Sequence, residues 1–225
     1  MVGHEKSIYN MRRPNRRKFY KRGVCSLFDP QIVTIQPLLV DKKGGALSYD
    51  RVKNFILRLV KYDVAAHITT MFDYYALDTN FPGHNQLNEI PDIYKKVKYL
   101  EEKFRDDINS IFSNNSCFPY IQPHEFESLL FSDINEIAKA DPDWNQRADQ
   151  IISSLSAIVN QCPNPEEINN SYNTSPSHRL GQILNLPKYR KVLHGATIAK
   201  NIGIDNIRQK CKHFDEWCNN KNLFP

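Results

Sequence analysis

The sequence has no long hydrophobic run. Nowhere in its 225 residues do roughly 18 apolar residues follow one another, the length that a membrane-spanning helix needs. The first residues also lack the apolar segment of a secretory signal. We therefore expect a chain that neither crosses nor binds a membrane and that resides in the cytoplasm.

Cysteine is scarce, odd in number and scattered along the chain, which favours free thiols in a reducing compartment over a disulfide framework. Three residues near the C-terminus, Cys211, His213 and Cys218, raise the alternative of a zinc site. Zinc ligands are usually more tightly spaced and paired, so structural thiols are the favoured interpretation. The five cysteines are Cys25, Cys117, Cys162, Cys211 and Cys218.

Two catalytic or nucleotide-binding signatures are missing. The sequence contains no phosphate-cradling G-x-x-x-x-G-K-[ST] loop, so any ATPase function must come from another protein. It also lacks the P-C-x-x-C pair of zinc deaminases, which excludes that class.

Charge is unevenly distributed along the chain. Residues 1–23 carry eight basic side chains and one acid, Glu5, whereas the rest has 22 basic and 24 acidic residues, a net charge of −2. The overall charge of +5 therefore belongs to the first segment. Such a run can hold phosphates electrostatically, although a solvated tail is the favoured interpretation.

Apolar patterning predicts strands that alternate with helices. Strands are expected at residues 32–40, where Pro37 indicates an edge or a bulge, at 66–72 and at 117–122. The helical period predicts helices between and after them. The fold class is therefore α/β with a mainly parallel sheet and a helical C-terminal part. Helices are expected after a Ser48 cap, at 91–112, from Pro123, and at 144–160, 176–184, 195–202 and 205–217, with a polar loop at 164–177.

Acidic residues follow two of these strands. Asp73 ends the strand ITTMF, with Asp78 a turn later, and Glu125 and Glu127 follow the strand at 117–122. Parallel strands deliver their carboxyl ends to one edge, so these acids can converge there. Clustered carboxylates suit Mg²⁺, which can activate water for attack on a phosphodiester.

A structural alternative explains the same acids. Glu125 and Glu127, together with His124, stand where a helix begins, and negative charge there is stabilised by the helix dipole. Residues two apart do not share a helix face, so at most one of the two glutamates would bind a shared ion. Spacing alone favours this helix-start interpretation, whereas an acid closing an apolar strand, as Asp73 does, needs a partner.

Several segments together resemble a bacterial family, Domain of Unknown Function 4276, over about residues 32–220. The resemblance implies a Toprim-like α/β nuclease-type fold with Mg²⁺ or Mn²⁺ carboxylates, nucleic acid as substrate, an ABC/AAA-type ATPase partner and a setting in phage defence. It divides the chain into a basic segment (1–31), a Toprim-like core (32–160) and a helical part of the same domain (161–225). The segments are TTMFDYYAL with FPG, PYIQPHEFESLLFSD, PEEIN with SPSHRL, and KYRKVLHGATIAKNIGIDNIRQKCKHFDEW.

The resemblance also implies roles for individual residues. Asp73, Glu125 and Glu127 would be the catalytic and metal-binding acids. Phosphate or substrate binding would involve His124 in the HEFE motif and residues of the C-terminal signature, for which packing and helix capping are equal alternatives. Those C-terminal residues are Lys188, Lys191 and His194.

The N-terminus departs from the family pattern. Toprim-like chains begin with an apolar strand that ends in a glutamate, and residues 1–31 are predicted to contain no such strand, since no apolar run precedes Glu5. Three interpretations stay open: a missing or mis-framed N-terminus, a degenerate site, or a strand supplied by a partner chain. A missing strand would expose sheet edges and favour homo-oligomers. The chain is thus either a Mg²⁺-dependent nuclease or nuclease-derived subunit, or an inactive binding or regulatory module.

Overall fold

A computed structural model describes most of the chain. The described residues are 6–12, 33–39, 48–63, 65, 67–111, 117–169, 172–220 and 223. Glu5, Cys25 and most of the basic run at residues 1–23 lie outside them.

The described chain is a mixed α/β fold with a small parallel sheet flanked by helices. The sheet comprises β1 (Lys6–Arg12), β2 (Val33–Leu39), β3 (His67–Asp73), β4 (Cys117–Phe118) and β5 (Ile121–Gln122). The helices are α1 (Tyr49–Tyr62), α2 (Ile93–Asn109), α3 (Ile134–Ala138), α4 (Ala148–Gln161), α5 (Pro176–Ile183), α6 (Ala196–Ile202), α7 (Ile204–Lys210) and α8 (Lys212–Cys218). Short 3₁₀ segments, among them Tyr74–Ala76, Phe126–Ser132 and Pro165–Glu167, connect them, and a π-turn covers Lys191–Gly195.

The sheet corrects the expectation for the N-terminus. Its order is β2-β1-β3-β4, with β5 also beside β3, and every pairing is parallel. The expectation that the first segment leaves a strand missing from the sheet is wrong, because Lys6–Arg12 forms a strand paired on both sides. This strand does not end in a glutamate, which agrees with the predicted departure from the Toprim-like pattern. Central strands of parallel sheets usually read as apolar runs, whereas this one mixes Ile8 and Met11 with polar residues, which hid it.

The predicted edge position of Pro37 is confirmed. This residue lies opposite Asn10 within β2, at the end of the sheet order. Proline has no N–H to donate to a neighbouring strand, so an edge strand accommodates it.

Helix α1 is capped by a residue distant in sequence. Ser48 precedes the helix as expected, but its side chain makes no capping hydrogen bond. Instead, the Oδ2 atom of Asp78 accepts a hydrogen bond from the backbone N–H of Tyr49 at 3.1 Å. Hydrogen bonds from the Asn80 and Tyr49 N–H groups lower the pKa of Asp78. Asp78 therefore stabilises a helix start rather than joining the acids after β3.

Helical periodicity identified the buried faces correctly. In α2, Val97, Leu100, Phe104 and Ile108 are buried at the expected spacing. The largest core cluster joins Met71 of the sheet to residues from the 3₁₀ segment Phe126–Ser132 through the C-terminal helices. Residues 161–220 therefore share a hydrophobic core with the segment that follows β5.

Three elements differ in detail from their sequence predictions. The strand expected at 117–122 is two short strands, because Pro119 interrupts the pairing. The helix expected at 205–217 is split at Cys211, whose backbone is extended. Within the loop expected at 164–177, Glu166 is fully buried.

Among the described residues, no helix combines the length and apolar composition required to cross a membrane. The four described cysteines are free thiols.

Candidate functional site

The acid that ends β3 is hydrogen-bonded to the segment that carries the HEFE motif. Asp73 is only 8% exposed, and its Oδ1 accepts a hydrogen bond from the backbone N–H of Phe126 at 2.7 Å. Strand pairing places Asp73 opposite Gln122. The chain therefore brings Asp73 and the residues after β5 to one sheet edge, as the sequence predicted, and gives the Asp73 carboxylate a backbone donor.

His124 occupies an unusual backbone conformation. Its φ angle is +58°, in the left-handed region that side chains with a Cβ rarely adopt. The carbonyl of His124 accepts a hydrogen bond from the N–H of Tyr75 at 3.1 Å, and its Nδ1 lies 3.3 Å from Nδ2 of Asn169. Burial, assisted by the charge of Lys96, lowers its pKa to about 4. His124 is therefore neutral near pH 7 and offers no cation to a phosphate.

The segment after Glu125 is a buried 3₁₀ helix. A helix beginning at Pro123 was expected, but the helical residues are Phe126–Ser132, and every one of them is buried. The HEFE motif therefore does not form the solvent-exposed first turn of an amphipathic helix. The turn at His124, which carries positive φ, delays the helix start by three residues.

Glu125 caps a second helix. Its Oε2 accepts a hydrogen bond from the backbone N–H of Ser177, in the first turn of α5, at 3.0 Å. A carboxylate at this position meets both unpaired N–H groups and the positive end of the helix dipole. Glu125 thus joins the segment after β5 to α5, a link that spans 52 residues of sequence.

Glu127 forms an ion pair with Lys191. Its side chain is 4% exposed, and its Oε1 lies 3.7 Å from Nζ of Lys191, which is 45% exposed. This contact connects the HEFE motif to the π-turn Lys191–Gly195 and brings two predicted site residues together. It also neutralises a carboxylate that is almost wholly removed from water.

The three acids do not fit a shared metal site. Asp73, Glu125 and Glu127 each face a different protein donor, and the described residues contain no group of three or more His, Cys, Asp or Glu side chains suited to a metal ion. Strand β1 ends in Arg12 and not in an acid. A metal ligand set is therefore not assembled among the described residues.

A cleft of about 520 Å³ lies beside these acids. Three predicted site residues, Glu125, Lys188 and Lys191, line it. Sequence reasoning missed Tyr75, a residue that is 49% exposed, because an aromatic residue after a strand is more often part of the core. The lining residues are Tyr75, Glu125, Ser175, Ser177, His178, Gly181, Gln182, Lys188, Tyr189 and Lys191.

His194 is separated from the cleft by burial. It is 2% exposed, its Nδ1 accepts a hydrogen bond from the N–H of Arg190 at 3.0 Å, and its Nε2 lies 3.2 Å from Oδ2 of Asp141. Burial lowers the pKa of His194, although Asp141 opposes this shift. The side chain also packs against Trp144. These contacts correspond to the packing alternative, and a phosphate contact by His194 stays a prediction.

Comparison with known proteins gives one match. Searches of curated proteins and of solved structures found no match to the chain. The family model described as Domain of unknown function (DUF4276) matches residues 15–220. Because that match covers most of the chain, the protein belongs to the DUF4276 family.

Proposed function

We propose that the chain is a nucleic-acid-binding subunit derived from a Toprim-like nuclease, and that it binds the phosphate backbone of its ligand in the cleft. The observation that carries this proposal is the presence of Lys188 and Lys191 in one cleft beside the carboxyl ends of β3 and β5. Lysine ammonium groups bind phosphates as point charges and release counterions from the nucleic acid.

The carboxylates support binding rather than hydrolysis. Asp73 and Glu125 accept hydrogen bonds from backbone N–H groups, and Glu127 faces Lys191. In these contacts they position the segment after β5, α5 and the π-turn, which together form the cleft walls. Their charges are met by protein donors without a metal ion.

A second candidate is a Mg²⁺-dependent nuclease. One observation favours it: the hydrogen bond from Phe126 holds the Asp73 carboxylate at the backbone of the residue that directly follows Glu125. Mg²⁺ is often held by only one or two carboxylates, with water and substrate phosphates as the other ligands.

The resemblance to nuclease-type families also supports a proposal for the biological system and the partner of this subunit. We propose that the subunit acts in the cytoplasm, in a bacterial anti-phage system, with an ABC/AAA-type ATPase as a separate partner. The sequence supports a separate ATPase because it contains no phosphate-cradling loop of its own.

Oligonucleotide binding measured by fluorescence anisotropy tests the cleft. The double variant Lys188→Gln/Lys191→Gln is expected to bind at least tenfold more weakly than the wild-type chain. Two lysine–phosphate contacts predict that log K falls with log salt at a slope of about −1.4 for a single strand. Lys200→Gln, which changes an exposed lysine of α6 outside the cleft, is the matched control. Wild-type affinity in the double variant would refute the proposal.

Calorimetry with Mn²⁺, with a cleavage assay in parallel, separates the two candidates. Asp73→Asn is the informative variant, because its amide oxygen can still accept the Phe126 N–H while the charge is removed. The binding-subunit proposal predicts no Mn²⁺ uptake and no cleavage by a chain that binds oligonucleotides. The nuclease would be established instead if the chain binds Mn²⁺ and cleaves, if Asp73→Asn abolishes both, and if Asp149→Asn, at an exposed position of α4, retains both.

A further inference from the structure

Tyr75 presents an aromatic ring to the cleft from a fixed backbone. It belongs to the 3₁₀ turn Tyr74–Ala76 directly after β3, and its N–H donates a hydrogen bond to the carbonyl of His124 at 3.1 Å. The residue is nevertheless 49% exposed. The structure therefore holds the backbone of Tyr75 beside the acids and leaves much of its ring available to a ligand.

The same cleft pairs this ring with positive charge. Lys188 and Lys191 are both exposed and line the cleft together with Tyr75. An aromatic surface next to lysines is the combination with which proteins bind single-stranded nucleic acids: the ring stacks on a base while the cations follow the backbone. The polar lining residues Ser175, Ser177 and Gln182 add hydrogen-bonding groups to the wall.

A duplex does not meet these requirements. In a double helix each base is covered on both faces by its neighbours, so an aromatic ring reaches it only after the base is unstacked or flipped. The cleft volume of about 520 Å³ also lies in the range of small-ligand pockets, which suits one or a few nucleotides.

We propose that the cleft binds a single-stranded nucleic acid, with one base stacked on Tyr75 and the adjoining phosphates at Lys188 and Lys191. This inference rests on the proposed function and adds to it the strandedness of the ligand. Because every base has an aromatic face, the stacking contact accepts many sequences.

The glutamate in the cleft limits the affinity. Glu125 lines the cleft, but its carboxylate is committed to the N–H of Ser177, which anchors it in the wall. Because Glu125 lines the cleft and Lys191 faces Glu127, the net positive charge offered to the backbone is small, so stacking on Tyr75 supplies a large share of the binding. Substitution of this one ring should consequently have a measurable effect.

The test compares a fluorescein-labelled mixed-sequence 12-mer, as DNA and as RNA, with the corresponding DNA duplex. The wild-type chain is expected to bind one or both single strands at least tenfold more tightly than the duplex. Tyr75→Ala should weaken single-strand binding about 5- to 150-fold, the range that follows from the usual contribution of one stacked base. Tyr75→Phe, which keeps the ring, should stay within about twofold of wild type because stacking is retained.

Tyr62→Ala is the matched control, because Tyr62 is 89% exposed and does not line the cleft. If the chain binds duplex and single strand equally well, and the lysine substitutions weaken that binding, this inference is overturned and the proposed function stays intact. Wild-type single-strand affinity in a folded Tyr75→Ala chain would also overturn it. No binding of any oligonucleotide by the wild-type chain would refute the proposed function and this inference together.

Discussion

The Oε1 atom of Glu101 in α2 lies 2.9 Å from Nε2 of His213 in α8. The same oxygen accepts a hydrogen bond from the backbone N–H of Ile121 in β5 at 2.7 Å. One carboxylate thus joins a helix from the middle of the chain, a strand of the sheet and a helix from the C-terminal part.

This contact predicts a pH dependence of stability on the alkaline side. Burial lowers the pKa of His213, but the hydrogen bond and charge of Glu101 outweigh burial, so the net shift is upward. A raised histidine pKa stabilises the fold fully below the ordinary value of about 6.5, and this stability is lost as pH rises through the folded-state pKa. Urea midpoints should therefore fall as the pH rises above about 6.5.

His213→Gln should remove most of that pH dependence while it lowers stability at pH 6.5. The comparison is made below about pH 8, because burial raises the folded-state pKa values of Cys117, Cys211 and Cys218 while the same thiols ionise at about pH 8.5 in the unfolded chain, which adds its own loss of stability at higher pH. A His213→Gln chain with the same alkaline slope as wild type would contradict the assignment.

For His124 the pH dependence of stability has the opposite direction and lies at acidic pH. Burial lowers its pKa from 6.5 to about 4, so the unfolded chain binds a proton that the folded chain rejects between these values. The contribution of His124 to stability should therefore fall as pH decreases from 6.5 to 4. His124→Asn, which also tolerates positive φ, should flatten this part of the urea-midpoint profile, and an unchanged profile would contradict the prediction.

The left-handed backbone of His124 predicts that glycine is more stable than alanine at this position, the reverse of the order expected in a helix. At φ +58°, alanine keeps the steric cost of a Cβ and glycine does not. His124→Gly should therefore be about 1 kcal/mol more stable to urea unfolding than His124→Ala. The helical position Asp149 is the control, where the alanine variant should be about 1 kcal/mol more stable than the glycine variant. Equal stability of the two His124 variants would argue against a positive φ angle at this residue.

The hydrogen bond between Glu125 and α5 predicts how substitutions of Glu125 affect stability and oligonucleotide binding. Glu125→Ala should destabilise the chain by about 1–3 kcal/mol, because the N–H of Ser177 loses its acceptor. Glu125→Gln should cost less and should bind single-stranded oligonucleotides more tightly, because a negative charge leaves the cleft. Unfolding midpoints and anisotropy titrations measure the two effects. Weaker oligonucleotide binding by a folded Glu125→Gln chain would instead indicate a direct role in ligand binding.

A buried glutamate makes the 164–169 segment essential for stability. Glu166 is fully buried and accepts hydrogen bonds from the N–H groups of His213 and Phe214 at 2.9 and 3.0 Å. Glu166→Ala leaves two buried donors without a partner and should cost about 2–5 kcal/mol, whereas Glu167→Ala at the exposed neighbouring position should cost less than about 1 kcal/mol. Similar unfolding midpoints for the two variants would contradict this role.

Local patterns predicted the parts of the fold that local physics controls. The β-branched strand ending at Asp73 and the apolar face of α2 followed directly from residue periodicity. The pairing of Glu125 with Ser177 and of Asp78 with Tyr49 did not, because partners 52 and 29 residues apart leave no local signal. Strand β1 was missed because its polar residues do not read as a central strand. Tyr75 was missed because only its measured exposure distinguishes it from a core aromatic.

The bond between Glu101 and Ile121 also determines what can pair with the sheet. Because Phe72 donates to the carbonyl of Tyr120 on the β3 side, the N–H of Ile121 points away from β3, toward the flank of β5 where the described residues place no other strand. Another extended chain would need that N–H to add itself to the sheet. Glu101 already binds it, so a single side chain from α2 closes this flank to strand addition.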